Sequence, residues 1–347
     1  MKNKRSSAGK SKEGKMASLQ GALGPLWKYY SDNEVREIFI DAFDRVSIER
    51  KGKLEAVPPP FASRAAVAAL VRSLSALPGN SSRRLGGRGG ANVVLDISLS
   101  DQAKVTSAEG AAYHAVMIRK RPGGPMGWPE LIKFGCIPEE GKKLFDKIVE
   151  QRKSVLVAGS NASGKSTLVN VFADGMPAGR RIVAIQNNSD LILKHPSCLC
   201  LDASSDAEFV ELLLNADKFS PDYLVVDELD VIGVPEVVRA MRNGVAVAAS
   251  CYAGSVLDAL KRVEYMYLSS KTTFGLDEIR SMLASGIGYV SFQERAADGK
   301  RRVVDLSRIM GYEDGHYIIE PLMKYVYETA AFELTPAGKA MILEKAA

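Results

Sequence analysis

Ser154-Val155-Leu156-Val157-Ala158-Gly159-Ser160-Asn161-Ala162-Ser163-Gly164-Lys165-Ser166-Thr167 is the stretch on which the fold turns. A short apolar run of strand character enters a glycine loop, and a helical run from Thr167 to Ala173 leaves it. The loop satisfies G-x-x-x-x-G-K-[ST], and strand–loop–helix is the context that gives this pattern its chemistry. Glycines let the backbone curl so that successive N–H groups face phosphate oxygens, and the start of a helix adds favourable partial charge. Gly159, Ser160, Asn161, Ala162, Ser163, Gly164, Lys165, Ser166 and Thr167 are therefore expected to cradle ATP. In that arrangement Lys165 reaches the β- and γ-phosphates and Ser166 ligates Mg²⁺.

Further along, Pro221-Asp-Tyr-Leu-Val-Val-Asp227-Glu228 reads as a buried strand ending in two acids. An acid at the tip of a strand beside such a loop can hold the metal shell, and the next can polarise an attacking water. Asp227 is assigned to the metal and Glu228 to water-orienting or general-base work. Together the two motifs point to nucleotide hydrolysis without saying which machine uses it.

Working outward, Ile182–Ile185 and Val245–Ala249 are further compact apolar runs between helical stretches. This alternation predicts an α/β domain with a mostly parallel sheet over 130–347, carrying two more strands at Gly288–Gln293 and Arg302–Leu306. Upstream, residues 16–120 mix periods and predict an α+β domain. Glu37–Asp41 and Arg45–Glu49 read as strands, with a hairpin turn at Arg50–Lys53. Ser63–Leu77 has helical spacing with Ser63 as N-cap, Leu85–Gly90 is a loop, and Val93–Leu99 and Tyr113–Arg119 are strands. Arg121–Pro129 is dense in Pro and Gly and reads as a linker. Residues 1–15 carry six Lys or Arg against Glu13, with no apolar periodicity, and are expected to be a disordered basic tail.

The net charge of +5 is concentrated in that tail, and the remaining basic residues are dispersed, so no specific nucleic-acid groove is expected. A DNA motor is disfavoured on this ground. A small-molecule kinase is disfavoured because no lid-like segment stands out. Cys136, Cys198, Cys200 and Cys251 have no zinc spacing, and Cys198 and Cys200 alternate on a strand as if sharing one buried face. His114, His195 and His316 lie far apart and read as structural or surface residues.

Val35-Arg-Glu-Ile-Phe-Ile-Asp-Ala-Phe-Asp-Arg-Val-Ser-Ile-Glu-Arg-Lys-Gly-Lys-Leu54 resembles the opening of the N-terminal domain in type II/IV secretion ATPases. Val116–Arg121, the glycine loop, Arg181–Leu191 and Ser220–Glu228 come in that superfamily's order. Gly311–Ile319 resembles its tight-adherence (Tad/Flp) pilus branch. The resemblance implies a RecA-like P-loop domain and a hexameric homo-oligomer, cytoplasmic and peripheral at the inner membrane. It also implies platform-protein partners, and ATP bound between domains whose closure moves pilus subunits or substrate. Arg119 and Arg121 fall near basic residues that face nucleotide in the superfamily, which makes them candidate catalytic groups, the other reading being a solvated hinge.

The departures cluster at the chemistry. Gln186 and Asn187 stand where the superfamily has Glu-Asp, although Asp190 keeps a later acid. Asp230 replaces an arginine. Ser250-Cys-Tyr252-Ala-Gly-Ser255 replaces a box centred on histidine, and tyrosine cannot serve as an imidazole. Conversely, Asp227 stands where a glycine is usual. Two readings result: a working motor with a rearranged surround, or an ATP-binding, hydrolysis-impaired scaffold or regulatory subunit.

Overall fold

The computed structural model describes residues 16–51, 53–85, 93–99, 103–110, 113–120, 126–187, 191–203, 205–270, 272–296 and 298–344. The chain divides into two compact units, Met1–Gly124 and Pro125–Ala347. The basic tail, the loop at 86–90, Arg121 and Asp190 lie outside the described residues. The last two residues of the stretch read as a linker are already helical. Trp128 and Pro129 open the short helix Trp128–Lys133, where a proline's missing N–H costs nothing.

The first unit is a seven-stranded antiparallel sheet. Its strands are β1 (Val35–Ala42), β2 (Arg45–Arg50), β3 (Lys53–Val57), β4 (Ser81–Leu85), β5 (Val93–Ser98), β6 (Lys104–Glu109) and β7 (His114–Arg119). They lie in the order β3-β2-β1-β7-β6-β5-β4. Alternate residues Ile38 and Ile40, Val46 and Ile48, and Val116 and Ile118 point to one buried face. Helix α1 (Arg64–Ser75) supplies Val67, Leu70, Val71 and Leu74 at helical spacing to the same core. Ser63 is its N-cap in extended conformation, without a side-chain capping bond.

The second unit is built on a nine-stranded sheet. Its strands are β8 (Ser154–Gly159), β9 (Ile182–Gln186), β10 (Cys198–Asp202), β11 (Tyr223–Glu228), β12 (Ala246–Tyr252), β13 (Ile287–Arg295), β14 (Arg301–Glu313), β15 (His316–Val326) and β16 (Ala331–Leu334). The order is β10-β9-β11-β12-β8-β13-β14-β15-β16. Pairing is parallel from β10 through β13 and antiparallel beyond it.

Both faces of the parallel part are covered, which is why its strands are apolar at nearly every position. Leu156, Val183, Leu224 and Val247 face one core, closed by Phe209, Val237, Leu260 and Leu283. These come from α4 (Asp206–Leu214), α5 (Val234–Arg242), α6 (Val256–Ser269) and α7 (Leu276–Gly286). Val155, Val157, Ala184, Val225 and Ala248 face the other, closed by Leu144, Phe145, Leu168 and Phe172. Those lie on α2 (Glu139–Glu150) and α3 (Lys165–Asp174). The burial expected for the Cys198/Cys200 pair is not found: Cys198 is half-buried and Cys200 is exposed. The reason is topological, because β10 is the sheet's edge and only β9 flanks it.

Candidate functional site

Strand β8 lies mid-sheet between β12 and β13, and its carboxyl end delivers the glycine loop. Glycine is required where β8 ends. A Cβ on Gly159 would lie 2.3 Å from the backbone carbonyl oxygen of Gln293 on β13 and 2.5 Å from Ser163 Oγ. Gly164 closes the loop in the left-handed region, at φ 101°, directly before α3. Ala162 also sits left-handed, at φ 59°, a conformation costly for a residue with a Cβ. Arg301, at the start of β14, fixes it: its Nε donates to the Ala162 carbonyl at 2.8 Å. Ser163 is fully buried beneath the loop, whereas Ser160 and Asn161 are exposed at its crest. Ser166 and Thr167, in the first turn of α3, are half-buried.

Lys165 is buried, and its ammonium has two local contacts. Nζ donates to the Ser160 carbonyl at 2.8 Å and lies 4.0 Å from the centroid of the Tyr252 ring. Burial pushes the Lys165 pKa down, and the carboxylates of Glu228 and Asp227 oppose that shift. Two acids from the tip of β11 thus act on the loop lysine across the intervening β12. Successive residues of a strand face opposite sides, and at this strand tip, where the pairing with β12 has a register irregularity between Val226 and Glu228, Asp227 is buried and Glu228 exposed. The turn is fixed by Ser250 Oγ donating to the Asp227 carbonyl and by Leu229 N–H donating to the Ser250 carbonyl at 2.8 Å.

Each unexpected residue that can be placed has a definite position. Gln186 is buried at the end of β9. Its Nε2 donates to Asp202 Oδ1 at 2.6 Å and to the Leu191 carbonyl at 3.2 Å, and its Oε1 accepts from the Leu191 N–H at 2.6 Å. An amide can both donate and accept there, and a carboxylate cannot. Asp230 takes up backbone N–H groups of Ile232 and Gly233 at 3.1 and 2.8 Å, an Asx-type turn that leads into α5. Tyr252 ends β12, paired in register with Gly159. Ser255 caps α6, accepting from the Asp258 N–H.

The second unit therefore brings together the whole glycine loop, Lys165, Ser166, Asp227, Glu228 and Tyr252. Arg119 belongs to the first unit, at the end of β7, where its Nε donates to Glu37 Oε1 of β1 at 2.7 Å. Arg301 and Gln293 carry no motif, and nothing in the sequence singles them out. They reach the loop only because β13 and β14 extend the sheet beside β8. His114 and His195 are buried and hydrogen-bonded to Ser107 Oγ and to the Pro177 carbonyl. His316 is exposed at the start of β15.

Residues 36–294 match the family profile described as type II/IV secretion system protein. Among curated relatives, the conjugal transfer protein TrbB of Rhizobium radiobacter is 21% identical over 210 residues, 59% of this chain and 64% of that protein. The type IV secretion system protein PtlH of Bordetella pertussis is 30% identical over 180 residues, 48% of this chain and 52% of that protein. The matched stretches span between about half and just under two thirds of those relatives. Among solved structures, the Legionella pneumophila ATPase DotB shares the fold at a TM-score of 0.57 and 16% identity. That match covers 83% of this chain and 80% of DotB.

Proposed function

Because the chain belongs to the type II/IV secretion system protein family, we propose that it binds ATP with Mg²⁺ at the glycine loop and hydrolyses it to drive a secretion or pilus machine. The observation that supports this most directly is the loop lysine lying within the electrostatic reach of two carboxylates from the tip of β11, one strand beyond β12. Backbone N–H groups of the loop and the first turn of α3 bind the phosphates. Lys165 leaves the Ser160 carbonyl and transfers its ammonium to phosphate oxygen, a stronger, charge-assisted contact. The Ser166 hydroxyl and the Asp227 carboxylate are hard oxygen donors of the kind Mg²⁺ takes, and they are the residues that would hold it. Bound there, Mg²⁺ would neutralise charge on the transferring phosphoryl group. Glu228, exposed at the strand tip, orients the attacking water and accepts its proton.

Arg119 and Arg121 are proposed to stabilise phosphoryl charge. For Arg119 this means leaving Glu37, an exposed pair worth only ~0–1 kcal/mol. The working assembly is proposed to be a homohexamer, peripheral at the inner membrane against platform proteins, of the tight-adherence pilus branch. The domain bounds are proposed as 16–120 and 130–347, joined by 121–129. Titration of wild type and Lys165→Ala with Mg-ATP, alongside light scattering of the same samples, tests this reading. Retained affinity in the variant would remove the loop from the site, and a monomer at every nucleotide concentration would remove the ring.

One observation favours the second reading, an ATP-binding scaffold with slow turnover. The Tyr252 ring sits against the Lys165 ammonium, at the position where the sequence resemblance leads one to expect histidine. If the ring limits turnover, Tyr252→His raises phosphate release per bound ATP; an unchanged rate would dismiss this reading.

A further inference from the structure

Cys198 and Cys200 occupy alternate positions on β10, and residues two apart on a strand share a face. Their sulfurs are 3.5 Å apart. The strand is the edge of its sheet, so it can bend against one neighbour instead of two, and Cys200 is exposed to reagents. The other two thiols lie elsewhere, Cys251 buried on β12 and Cys136 half-buried after the helix Trp128–Lys133.

We infer that Cys198 and Cys200 are a dithiol oxidation site that closes to a disulfide when it meets a low-molecular-weight disulfide. The hydrogen bond shared by the two sulfurs pulls Cys200 below the ordinary thiol range, to about 7, against the effects of partial burial and of Asp202. The same bond, with burial, pushes Cys198 up. Cys200 is therefore the attacking sulfur. Its thiolate displaces one thiolate from the reagent and forms a mixed disulfide. Cys198 then loses its proton to solvent and attacks Cys200 Sγ, expelling the second thiolate. Two protein thiols are oxidised by two electrons, and one reagent disulfide becomes two thiols.

Closure has a structural consequence at the end of β9. Residues two apart on an extended strand are separated by ~6.6 Å, near the upper limit for a bridged pair, and the Cβ atoms must approach to ~4 Å. The strand must shorten between Cys198 and Cys200. Asp202, two residues on and paired in register with Gln186, is drawn off the Gln186 amide. Gln186 holds the Leu191 backbone through the same side chain, so oxidation is read out at Leu191. None of this depends on nucleotide chemistry.

The test treats the full chain with hydroxyethyl disulfide, then applies alkylation, peptide mapping and hydrogen exchange. The expected wild-type result is an internal bridge in the peptide holding residues 198 and 200, with Cys251 still a thiol. Exchange of the Leu191 amide should quicken about tenfold, the scale of losing one hydrogen bond. Cys198→Ser should trap the reagent on Cys200, and Cys200→Ser should leave Cys198 unmodified. A wild-type chain that stops at the mixed disulfide, or that reacts first at Cys251, overturns the inference. A closed bridge with unchanged Leu191 exchange overturns the coupling to Gln186. The wild-type peptide map decides the main point even where a variant fails to fold.

Discussion

Replacing Gln186 by glutamate would restore the acid that the sequence resemblance leads one to expect, and the structure predicts that the chain tolerates it poorly. The amide nitrogen donates to Asp202 and to the Leu191 carbonyl, while the amide oxygen accepts from Leu191 N–H. A carboxylate keeps the last bond, loses the other two and faces the Asp202 carboxylate. Two like charges ~4 Å apart repel by ~4 kcal/mol at an effective dielectric of about 20 and by ~1 kcal/mol in bulk water. Gln186 is buried but Asp202 is exposed, so about 2 kcal/mol is reasonable. The lost bond to Asp202 adds about 1 kcal/mol to the cost of ionisation, and the lost bond to the Leu191 carbonyl costs about 1 kcal/mol at every pH. The ionisation-dependent part, ~3 kcal/mol, lies below the ~3.7 kcal/mol needed to keep a carboxyl of ordinary pKa ~4.3 protonated at pH 7. The new carboxyl's folded pKa therefore rises above its unfolded value. The folded variant binds the extra proton more readily, and a protonated carboxyl can donate to Asp202 again. Its deficit against wild type is smallest below about pH 4.3 and grows as pH rises through the raised folded pKa. Urea unfolding of both proteins should show a gap of ~4 kcal/mol at pH 7.5, shrinking to ~2 kcal/mol at pH 5. Equal stability at neutral pH, or a gap that widens on acidification, would refute the account of the Gln186 amide as both donor and acceptor.

Three further outcomes are expected from the same geometry. Arg301→Ala removes the bond that holds left-handed Ala162, and nucleotide affinity should fall about tenfold, measured by titration, with Arg301→Lys recovering little of it. Gly159→Ala drives a Cβ into the β13 backbone; overpacking of ~1–3 kcal/mol should appear in thermal melts together with weaker ATP binding. Asp230→Ala should lower stability by ~1 kcal/mol through loss of the turn before α5, while phosphate release per bound ATP stays unchanged; a collapse in turnover would give Asp230 a chemical role.

The second unit is the more legible in sequence because its core strands are buried on both faces. Continuous runs such as Val155–Ala158 and Tyr223–Val226 announce themselves, and the glycine loop fixes the helix after the first of them. The acids at 227 and 228 are readable as a pair, but the register irregularity beside them is not, since no local pattern reveals it. Strand β15 escapes the apolar pattern even though Asp314-Gly315, both at positive φ, is the dipeptide that a tight hairpin favours. In the first unit β3 and β4 carry too little apolar alternation to stand out, and β6 (Lys104–Glu109) is recognisable only by its pairing with β5 and β7. Alternation places Cys198 and Cys200 on a strand, but it cannot tell an edge strand from a central one. The roles of Gln186 and Arg301 are illegible because their partners are distant in the chain: Asp202 for the first, Ala162 for the second.

The central claim is hydrolysis at this loop, and the most direct measurement is steady-state phosphate release at saturating Mg-ATP by wild type and Glu228→Gln, each normalised to bound nucleotide. The expected result is turnover by the wild type and a loss of about a hundredfold or more in the variant, with ATP still bound, as befits removal of one positioned catalytic group. Equal rates in the two proteins would contradict it and take the water-orienting role away from Glu228.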